Sequence, residues 1–461
     1  MNESKKYFFI GIGGVGMSAI AIVLNKRGHR IIGSDRTQSI NTKLLAQQGM
    51  EIKVGHNADN ITPDLDAVVY TNAISEDNPE FVKAKELGIP VIERAVMLNE
   101  IALSKFAIGV SGTHGKTSTT SMVSKIFLKA GLDPSLAVGG YLKEINGSGY
   151  EGNGKYFIYE ACEAFGSIGH LKPDIALITN IDKDHLDYYK TLANIKKMFK
   201  KYICENVPPF GLVIYNRDDK NLRELVDECK LENAISIGIR HKSADFTVTD
   251  VAMDAFSSSF SIIRRGSFVG RFTLNVPGMH NIYNASLAIA AAHLNGIPNE
   301  YIALALGEFK NADRRFQLKL EMDNLTVIDD YAHHPSEIRA TLNAARKLSS
   351  KRKAQLIAIF QPHLYSRTEH FYKDFAKTLA KADRVVLTDI YAAREKNIHN
   401  ISSQIIYDEV VKIKGAENVI YSHNLDDVPV MIKPLLAENS VLVTLGAGDV
   451  WKVSEMFSAV R

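Results

Sequence analysis

Short apolar runs alternate with amphipathic segments along most of the chain. This alternation is typical of strand–helix–strand units on a parallel sheet. A first block of such units extends from Tyr7 to about Leu103, and its predicted strands are Tyr7–Ile12, Arg30–Gly33, Ala67–Thr71 and Pro90–Ile92. Helical periodicity separates these strands, so the pattern predicts an α/β fold.

A second block opens at Lys105 with a predicted strand, Phe106–Val110, and a glycine-rich turn. Further apolar runs of strand length follow, at Tyr156–Tyr159, Ile175–Thr179 and Leu212–Tyr215. Alternating Phe, Ser, Ile and Arg residues predict antiparallel hairpins between Phe246 and Asn275. An alanine-rich helix, from about Asn281 to Asn295, closes the block.

A third block starts near Asn311, and its predicted strands are Leu325–Asp329, Leu356–Phe360, Arg384–Thr388 and Ser440–Leu445. A chain of 461 residues is too long for one ordinary core, which agrees with several domains. We therefore expect three α/β domains with the bounds 1–104, 105–310 and 311–461. The first and the last are expected to be Rossmann-like, and the central one to contain a phosphate-binding P-loop.

The formal net charge of +3 is small for this length. It gives no reason to expect nucleic acid or an acidic membrane as a partner. The run from Tyr7 to Leu24 follows two lysines, as in a signal peptide, but four glycines weaken the helix that a signal peptide needs. No other stretch approaches the roughly twenty apolar residues that span a bilayer. We expect a soluble cytoplasmic protein without membrane insertion.

Three cysteines, Cys162, Cys204 and Cys229, stand without CxxC or CxxH spacing. An odd and sparse count argues against a disulfide framework and against a structural zinc site. Reduced thiols are the expectation for all three.

The strongest chemical signal follows the strand Phe106–Val110 and precedes a helix. It reads Ser111-Gly112-Thr113-His114-Gly115-Lys116-Thr117-Ser118. Glycines let backbone N–H groups turn toward phosphate oxygens, and the helix N-terminus adds positive potential. Lys116 would reach the β- and γ-phosphates and Thr117 would bind Mg²⁺. The first glycine of the general P-loop pattern falls at Val110, which leaves an ordinary strand–helix turn as the alternative.

A second glycine motif, Gly11-Ile12-Gly13-Gly14-Val15-Gly16, also follows a strand, and Asp35 follows nineteen residues after Gly16, at the end of the next strand. The motif predicts a diphosphate site at a helix N-terminus. The diphosphate of UDP fits this site as well as that of NAD, so an NAD(P)-dependent oxidoreductase is one alternative. A tight turn without a ligand is another.

Acidic and imidazole groups follow two further strands. Glu160 ends the run Tyr156–Tyr159, and His185 lies shortly after Ile175–Thr179. The carboxyl ends of parallel strands meet at one sheet edge, so these groups could hold Mg²⁺ against a γ-phosphate. A hydrogen-bonding loop histidine is the alternative for His185.

Two polar clusters follow strands of the third block, and they comprise Asp329 to Pro335 and Gln361 to Arg367. Such clusters at strand ends are candidate ligand sites. The adjacent pair His333 and His334 also permits transition-metal binding as an alternative.

Taken together, these motifs resemble those of the Mur ligases over the whole chain. The motifs that carry the resemblance are the first glycine motif, Gly112–Thr117, Asn180-Ile181 ahead of Asp184-His185, His280–Ala285, Arg314–Phe316, Asp330–Pro335, Phe360–His363 and Gly446–Asp449. Several independent motifs in one order are more specific than any one of them.

The resemblance implies a UDP-sugar domain, an ATPase domain and an amino-acid domain, and it implies a role for each motif. The implied catalytic residues are Lys116, Glu160, His185 and Arg315, and the implied Mg²⁺ ligands are Thr117, Glu160 and His185. The ATP contacts would be Gly112, Thr113, His114, Gly115, Lys116, Thr117, Ser118, Asn281, Asn284, Arg315 and Asp330. The UDP-sugar contacts would be Gly11, Gly13, Gly14, Gly16, Ser34 and Asp35, and the amino-acid contacts Tyr331, His333 and Arg367.

The implied reaction is the ATP-dependent ligation of L-alanine to the lactyl carboxylate of UDP-N-acetylmuramate through an acyl phosphate. This is a step of peptidoglycan precursor synthesis. The implied ligands are therefore ATP, Mg²⁺, UDP-N-acetylmuramate and L-alanine, with no nucleic acid. We expect a monomer or a weak homodimer.

Some positions depart from the commonest pattern of the alanine-adding members. Glu160-Ala161-Cys162-Glu163-Ala164-Phe165 stands where a more acidic run is common, and Leu364 stands where a second arginine is common. The choice among alanine, glycine and serine is therefore open. Lys200 is roughly placed for the carbamoylated lysine of related ligases, but the alanine-adding members generally lack that feature. A relative that attaches a different amino acid or a peptide, and a non-catalytic nucleotide-binding regulator, are the remaining alternatives.

Overall fold

The computed structural model describes residues 3–254, 256–310, 314–393, 395–437 and 439–458. Three β-sheets with flanking helices make up these residues. The described chain forms two compact units, one within Met1–Asp250, Phe260–Phe272 and Tyr283–Glu308, and the other within Val251–Ser259, Thr273–Ile282 and Phe309–Arg461.

The first sheet is entirely parallel and has the strand order β3-β2-β1-β4-β5. Its strands are β1 (Lys6–Ile10), β2 (Arg30–Asp35), β3 (Glu51–Val54), β4 (Ala67–Tyr70) and β5 (Val91–Glu93). Its helices are α1 (Val15–Lys26), α2 (Ile40–Gln47), α3 (Pro79–Glu86) and α4 (Arg94–Ala102). The run that resembled a signal peptide therefore forms a buried strand, a glycine turn and a buried helix.

The second sheet has the order β15-β14-β13-β12-β11-β10-β6-β9-β7-β8. The strands are β6 (Phe106–Ser111), β7 (Ser135–Leu142), β8 (Gly147–Tyr150), β9 (Tyr156–Glu160), β10 (Ile175–Ile178), β11 (Leu212–Asn216), β12 (Ala234–Gly238), β13 (Phe246–Met253), β14 (Ser258–Arg264) and β15 (Ser267–Leu274). Strand β6 pairs in parallel with β9 and β10, so the carboxyl ends of these three strands share one edge. That edge carries the predicted phosphate loop, Glu160 and the loop to His185.

Helices of the second block follow its strands. They are α5 (Lys116–Lys129), α6 (Leu186–Tyr189), α7 (Leu192–Lys201), α8 (Lys220–Cys229), α9 (Met279–Leu294) and α10 (Asn299–Gly307). A short π-helix, Tyr202–Asn206, continues α7.

The third sheet has the order β16-β17-β21-β18-β19-β20, and only β16 is antiparallel to its neighbour. The strands are β16 (Gln317–Glu321), β17 (Leu325–Asp330), β18 (Gln355–Phe360), β19 (Arg384–Thr388), β20 (Val419–Ser422) and β21 (Ser440–Leu445). The helices are α11 (Pro335–Arg352), α12 (Tyr365–Leu379), α13 (Gln404–Lys414), α14 (Val428–Ile432) and α15 (Trp451–Ser458). The three-domain α/β fold expected from the sequence is confirmed. The bounds between the domains stay a prediction, and residue 311 lies outside the described residues.

The expectation of three reduced thiols is wrong for two of the cysteines, because Cys204 and Cys229 form a disulfide with a Cα–Cα distance of 6.4 Å. Cys204 lies in the π-helix after α7, and Cys229 ends α8. Helices α7 and α8 pack against each other, so two residues 25 positions apart in sequence become neighbours. Cys162 is a free thiol and is half-buried.

Among the described residues, no helix combines the length and the apolar character needed to cross a membrane.

Candidate active site

The phosphate loop lies between β6 and α5, in the first unit, as the sequence predicts. Gly112 and Gly115 have φ angles of 126° and 85°, in the region that favours glycine. A Cβ at Gly112 would stand 2.0 Å from the Thr179 hydroxyl, and one at Gly115 would stand 2.5 Å from Oδ1 of Asn284. Both glycines are therefore required, and the predicted ATP contact Asn284 lies against the loop. Ser118 is buried in the first turn of α5.

Asn180, to which the sequence interpretation gave no role, holds the loop in place from the neighbouring strand end. Its backbone oxygen accepts from the N–H of Thr113 (3.0 Å), its Oδ1 accepts from the N–H of His114 (3.0 Å), and its Nδ2 donates to the carbonyl of His114 (2.9 Å). Nearby, Nε2 of His114 lies 3.6 Å from Oδ2 of Asp182. The loop conformation is therefore fixed by the chain itself.

Lys116 has a buried acidic partner that the sequence interpretation missed. Its Nζ lies 2.9 Å from Oε2 of Glu163, and it also donates to the carbonyl oxygens of Gly112 (2.7 Å) and Thr113 (2.9 Å). Burial lowers the pKa of Lys116, but the charge of Glu163 outweighs burial and the pKa is raised. Burial likewise raises the pKa of Glu163, and Lys116 and His185 bring it below its ordinary value. Lys116 is therefore a cation held at the loop.

His185 reaches the same carboxylate. Its Nε2 lies 3.5 Å from Oε1 of Glu163, and its backbone adopts a left-handed φ of 51° just before α6. Burial lowers the pKa of His185, but the hydrogen bond to Glu163 and the charge of Asp184 outweigh it, so the pKa is raised. Glu163 thus links Lys116 to His185, and the sequence signal for it was its place three residues after Glu160.

Two oxygen atoms that could bind a metal ion lie side by side where the sequence predicts Mg²⁺. The hydroxyl of Thr117 donates to Oε2 of Glu160 at 2.8 Å. The carboxylate of Glu160 fills the space beside Gly139, where a Cβ would stand 2.1 Å from that same oxygen. Hydroxyl and carboxylate oxygens are the ligands that Mg²⁺ prefers, so Thr117 and Glu160 fit this ion. His185 adds a ring nitrogen that could bind the ion near the same sheet edge.

The first sheet places its predicted ligand residues around the glycine turn. The N–H groups of Gly11 and Ile12 both donate to the carbonyl of Ser34 at 2.9 Å, and the N–H of Gly13 donates to Oδ2 of Asp35 at 2.9 Å. The hydroxyl of Ser34 donates to the fully buried Glu80 at 2.6 Å. Ser34 and Asp35 therefore hold the backbone of the glycine turn through hydrogen bonds.

The second unit contains the remaining predicted ATP residues. The guanidinium of Arg315 lies 5.2 Å from the ring centre of Tyr331 and 4.0 Å from Glu337. Asp330 accepts from the N–H groups of Phe316 (2.9 Å) and Ala332 (2.8 Å). Burial raises the pKa of Asp330 to about 6. Both of its carboxylate oxygens are thus engaged within the protein, and its contact with a ribose stays a prediction.

Asn281 is also in the second unit, where it is buried and its Nδ2 donates to the carbonyl of Pro277 at 2.8 Å. Its predicted contact with adenine stays a prediction.

The predicted amino-acid residues gather around a histidine to which the sequence interpretation gave no role. The rings of Tyr331 and His333 are in contact (5.2 Å between centres), and His333 contacts His363 (5.7 Å). Arg367 lies with Nη1 3.2 Å from Nδ1 of His363. Leu364 is buried and adds no charge to this cluster. The structure therefore brings Tyr331, His333 and Arg367 together within one unit.

His334 does not share this environment. Its side chain caps α11, where it accepts from the N–H of Ser336 at 3.3 Å, and Glu337 completes the capping box. His333 instead contacts the carbonyl of Tyr331 at 2.9 Å. The two adjacent histidines therefore have different local functions.

The fold and these loops define an α/β protein with a phosphate-binding loop and a separate glycine turn. Three family models match the chain in order: "Mur ligase family, catalytic domain" at residues 6–106, "Mur ligase middle domain" at 110–292 and "Mur ligase, glutamate ligase domain" at 314–448. The chain belongs to the Mur ligase family.

Individual relatives cover nearly the whole chain. A UDP-N-acetylmuramate–L-alanine ligase from Caldanaerobacter subterraneus subsp. tengcongensis is 42% identical over 99% of this chain and 98% of its own length. An enzyme of the same name from Clostridium novyi is 43% identical, with 99% and 98% covered. The crystal structure of UDP-N-acetylmuramate-alanine ligase from Thermotoga maritima matches with a TM-score of 0.82 and 30% identity, and 98% of each chain is covered.

Proposed function

We propose that this chain is an ATP-dependent ligase that joins L-alanine to the lactyl carboxylate of UDP-N-acetylmuramate. The products are UDP-N-acetylmuramoyl-L-alanine, ADP and phosphate, and the reaction serves peptidoglycan precursor synthesis. Full-length relatives that carry this activity in their names support the proposal. The observation that carries it is the arrangement of Lys116, Thr117, Glu160 and His185 at one sheet edge.

In the first step, a carboxylate oxygen of the sugar attacks the γ-phosphorus of ATP. The bond from that phosphorus to the bridging oxygen breaks, ADP leaves, and an acyl phosphate forms. This step brings an anion onto a polyanion, so local positive charge must offset the repulsion. Lys116 and the N-terminus of α5 supply positive charge at the phosphate loop, and the guanidinium of Arg315 is a further candidate for this role.

Thr117, Glu160 and His185 would hold Mg²⁺. When bound, this ion neutralises charge on the phosphates and orients them. The hydrogen bond between Thr117 and Glu160 holds these two oxygen atoms side by side.

In the second step, the amine of L-alanine attacks the acyl carbon, the bond to the phosphate oxygen breaks, and inorganic phosphate leaves. The amine must first lose a proton, and Tyr331 and His333 are the candidate acceptors. Arg367 binds the alanine carboxylate through a charge-assisted hydrogen bond. The reaction takes place in the cytoplasm, and the enzyme acts as a monomer or a weak homodimer.

The test measures phosphate release from ATP, Mg²⁺ and UDP-N-acetylmuramate with alanine, glycine or serine in turn. We expect release that depends on the sugar and is fastest with L-alanine. The variant Lys116→Ala should lower kcat by orders of magnitude, because the charge on the γ-phosphate loses its counter-ion. The proposal is wrong if the chain releases no phosphate with any of the three amino acids. It is also wrong if the sugar makes no difference.

A further inference from the structure

Helix α12 begins at a residue with an unusual backbone conformation. Its N-cap is Leu364, which has a φ angle of 71° and a ψ angle of 136°. Bulky residues other than glycine rarely adopt a positive φ angle, because the side chain is crowded there. Leu364 is buried nevertheless. Backbone strain of this kind persists where the surrounding structure holds it in place, and it is concentrated at ligand sites.

A distant segment holds this turn through backbone hydrogen bonds. The N–H of Leu364 donates to the carbonyl of Tyr391 at 3.0 Å, and the N–H of Tyr391 donates to the carbonyl of Pro362 at 2.8 Å. A parallel β-bridge therefore joins His363 to Tyr391. The ring of Tyr391 also stacks on the ring of His363, with 5.9 Å between the ring centres. The turn that leads into α12 is thus fixed from outside the helix.

Glu395, four residues after Tyr391, binds the first turn of α12. Its Oε2 accepts from the N–H of Ser366 at 3.0 Å, and its Oε1 accepts from the hydroxyl of Ser366 at 2.5 Å. The first N–H groups of a helix have no acceptor within the helix, and the side chain of Leu364 cannot accept a hydrogen bond. The sequence of the first turn, Tyr365–Thr368, contains no acidic residue. Glu395 therefore supplies, from 29 positions away, a cap and a negative charge that the first turn itself does not provide.

Arg367 is the next residue after Ser366, so the contact with Glu395 also fixes the backbone from which Arg367 extends. Nη1 of Arg367 lies 3.2 Å from Nδ1 of His363. His363 is itself held by Tyr391. The segment that contains both His363 and Arg367 is therefore anchored at two points, and all of these residues belong to the second unit.

We propose that Glu395 is a positioning residue for the amino-acid substrate, and that its contact with Ser366 places the guanidinium of Arg367 to receive the carboxylate of L-alanine. This inference rests on the proposed function, in which Arg367 binds that carboxylate. Glu395 acts through Arg367 and not on the substrate itself. An anchored helix turn reduces the freedom that is lost when the substrate binds. Loss of the anchor should therefore weaken alanine binding and leave the chemical step nearly unchanged.

The experiment measures steady-state phosphate release by the full chain, with L-alanine varied at saturating ATP, Mg²⁺ and UDP-N-acetylmuramate. Glu395→Gln keeps the size of the side chain and removes its charge. Ser366→Ala removes the hydroxyl that donates to Glu395. Each of these variants is also combined with Arg367→Ala. Urea unfolding of every variant measures the change in stability separately.

The matched control is Asp383→Asn, in the same unit. The carboxylate of Asp383 likewise accepts from a backbone N–H group, that of Leu356, at 2.7 Å. It lies at the amino ends of β18 and β19, opposite the sheet edge from which the chain enters α12. This control shows whether the loss of any carboxylate anchor in the unit changes the KM for alanine.

We expect Glu395→Gln to raise the KM for L-alanine about 3- to 10-fold, because one charge-assisted hydrogen bond that holds α12 is weakened. The value of kcat should change by less than about twofold, and the KM for ATP should change little. Ser366→Ala should act in the same direction with a smaller effect. In the Arg367→Ala background, neither change should raise the KM for alanine further, because the group that they position is gone. Asp383→Asn should lower the midpoint of urea unfolding and keep the wild-type KM for alanine.

A wild-type KM for alanine in Glu395→Gln would overturn the assignment. Equal increases in this KM with and without Arg367 would also overturn it, because Glu395 would then act independently of Arg367. The same holds if Arg367→Ala alone leaves the KM for alanine unchanged. If Glu395→Gln does not fold, Ser366→Ala decides the matter by the same comparison. A wild-type chain that releases no phosphate with alanine contradicts the proposed function instead, and that result differs from all of the others.

Discussion

Lys116 and Glu163 form a buried ion pair at the phosphate loop, with Nζ 2.9 Å from Oε2 and only 3% of the Glu163 side chain exposed. The lysine is the residue that the sequence singles out for the phosphates of ATP. The charge of Lys116 is balanced by this carboxylate, which follows the neighbouring strand β9. The negative charge of a bound γ-phosphate would balance the charge of Lys116 in the same way.

The first prediction concerns this pair. Replacing Glu163 by Gln leaves a buried ammonium without its counter-ion, so we expect a loss of about 3 kcal/mol in the free energy of unfolding. A non-hydrolysable ATP analogue with Mg²⁺ should restore part of this loss, because its phosphates replace the missing charge. Denaturant unfolding with and without the analogue measures both effects.

The control for this variant is Glu144→Gln. Glu144 pairs with Lys125, which lies on α5 as Lys116 does, at a distance of 2.6 Å. The side chain of Glu144 is 32% exposed, so the loss in the free energy of unfolding should stay below about 1 kcal/mol. The interpretation is wrong if Glu163→Gln is as stable as the wild type. Equal stabilisation of both proteins by the analogue would also contradict it.

The second prediction concerns Asn180. Replacing it by Ala removes two side-chain hydrogen bonds to His114 and frees the phosphate loop. Each such bond is worth about 1 kcal/mol, so we expect the KM for ATP to rise about 10- to 30-fold, with a smaller change in kcat. Steady-state kinetics at saturating sugar and alanine measure this. Asn233→Ala is the control, since the exposed side chain of Asn233 donates to the carbonyl of Pro209 and not to the phosphate loop. An unchanged KM for ATP would show that the loop does not depend on Asn180.

The third prediction concerns substrate selection by Arg367. Because Leu364 adds no charge to the cluster, we expect the alanine carboxylate to depend on Arg367. Arg367→Ala should raise the KM for L-alanine about 10- to 100-fold, while the KM values for ATP and the sugar change little. Arg384→Ala, at the opposite end of β19 from the ligand edge, is the control. A rise in the KM for ATP that equals the rise for alanine would contradict the assignment.

The fourth prediction concerns pH. Burial raises the pKa of Asp330 from 3.8 to about 6. Between pH 4 and pH 6, the folded chain therefore keeps a proton that the unfolded chain has lost, and the free energy of unfolding falls as the pH rises. Asp330→Asn removes this contribution. The stability of the wild type relative to the variant should decrease by up to about 3 kcal/mol from pH 4 to pH 7.

Fluorescence of the single tryptophan, Trp451, reports on this unit because it begins α15. Urea unfolding at pH 4, 5, 6 and 7 gives the comparison. A difference between the two proteins that is the same at every pH would mean that Asp330 does not titrate in this window.

Much of the fold and of the candidate site could be read from local sequence. The strands that carry the site, such as Phe106–Ser111 and Tyr156–Glu160, are uninterrupted apolar runs because both faces of a parallel sheet are buried. Lys116, Glu160 and His185 could be assigned to one edge because parallel strands all end on the same side. The short exposed strand Glu51–Val54 was missed, since it has no apolar run.

The partners of these residues were decided only by tertiary structure. Glu163 faces Lys116 across 47 positions, Asn180 binds His114 across 66, and Cys204 meets Cys229 where two helices pack. Glu395 reaches the first turn of α12 across 29 positions. The sequence by itself determined the elements and the residues at their ends, because periodicity and glycine placement act locally. The distant partners of those residues depend on how the strands are ordered and how the helices are packed. No local sequence pattern encodes that order or that packing.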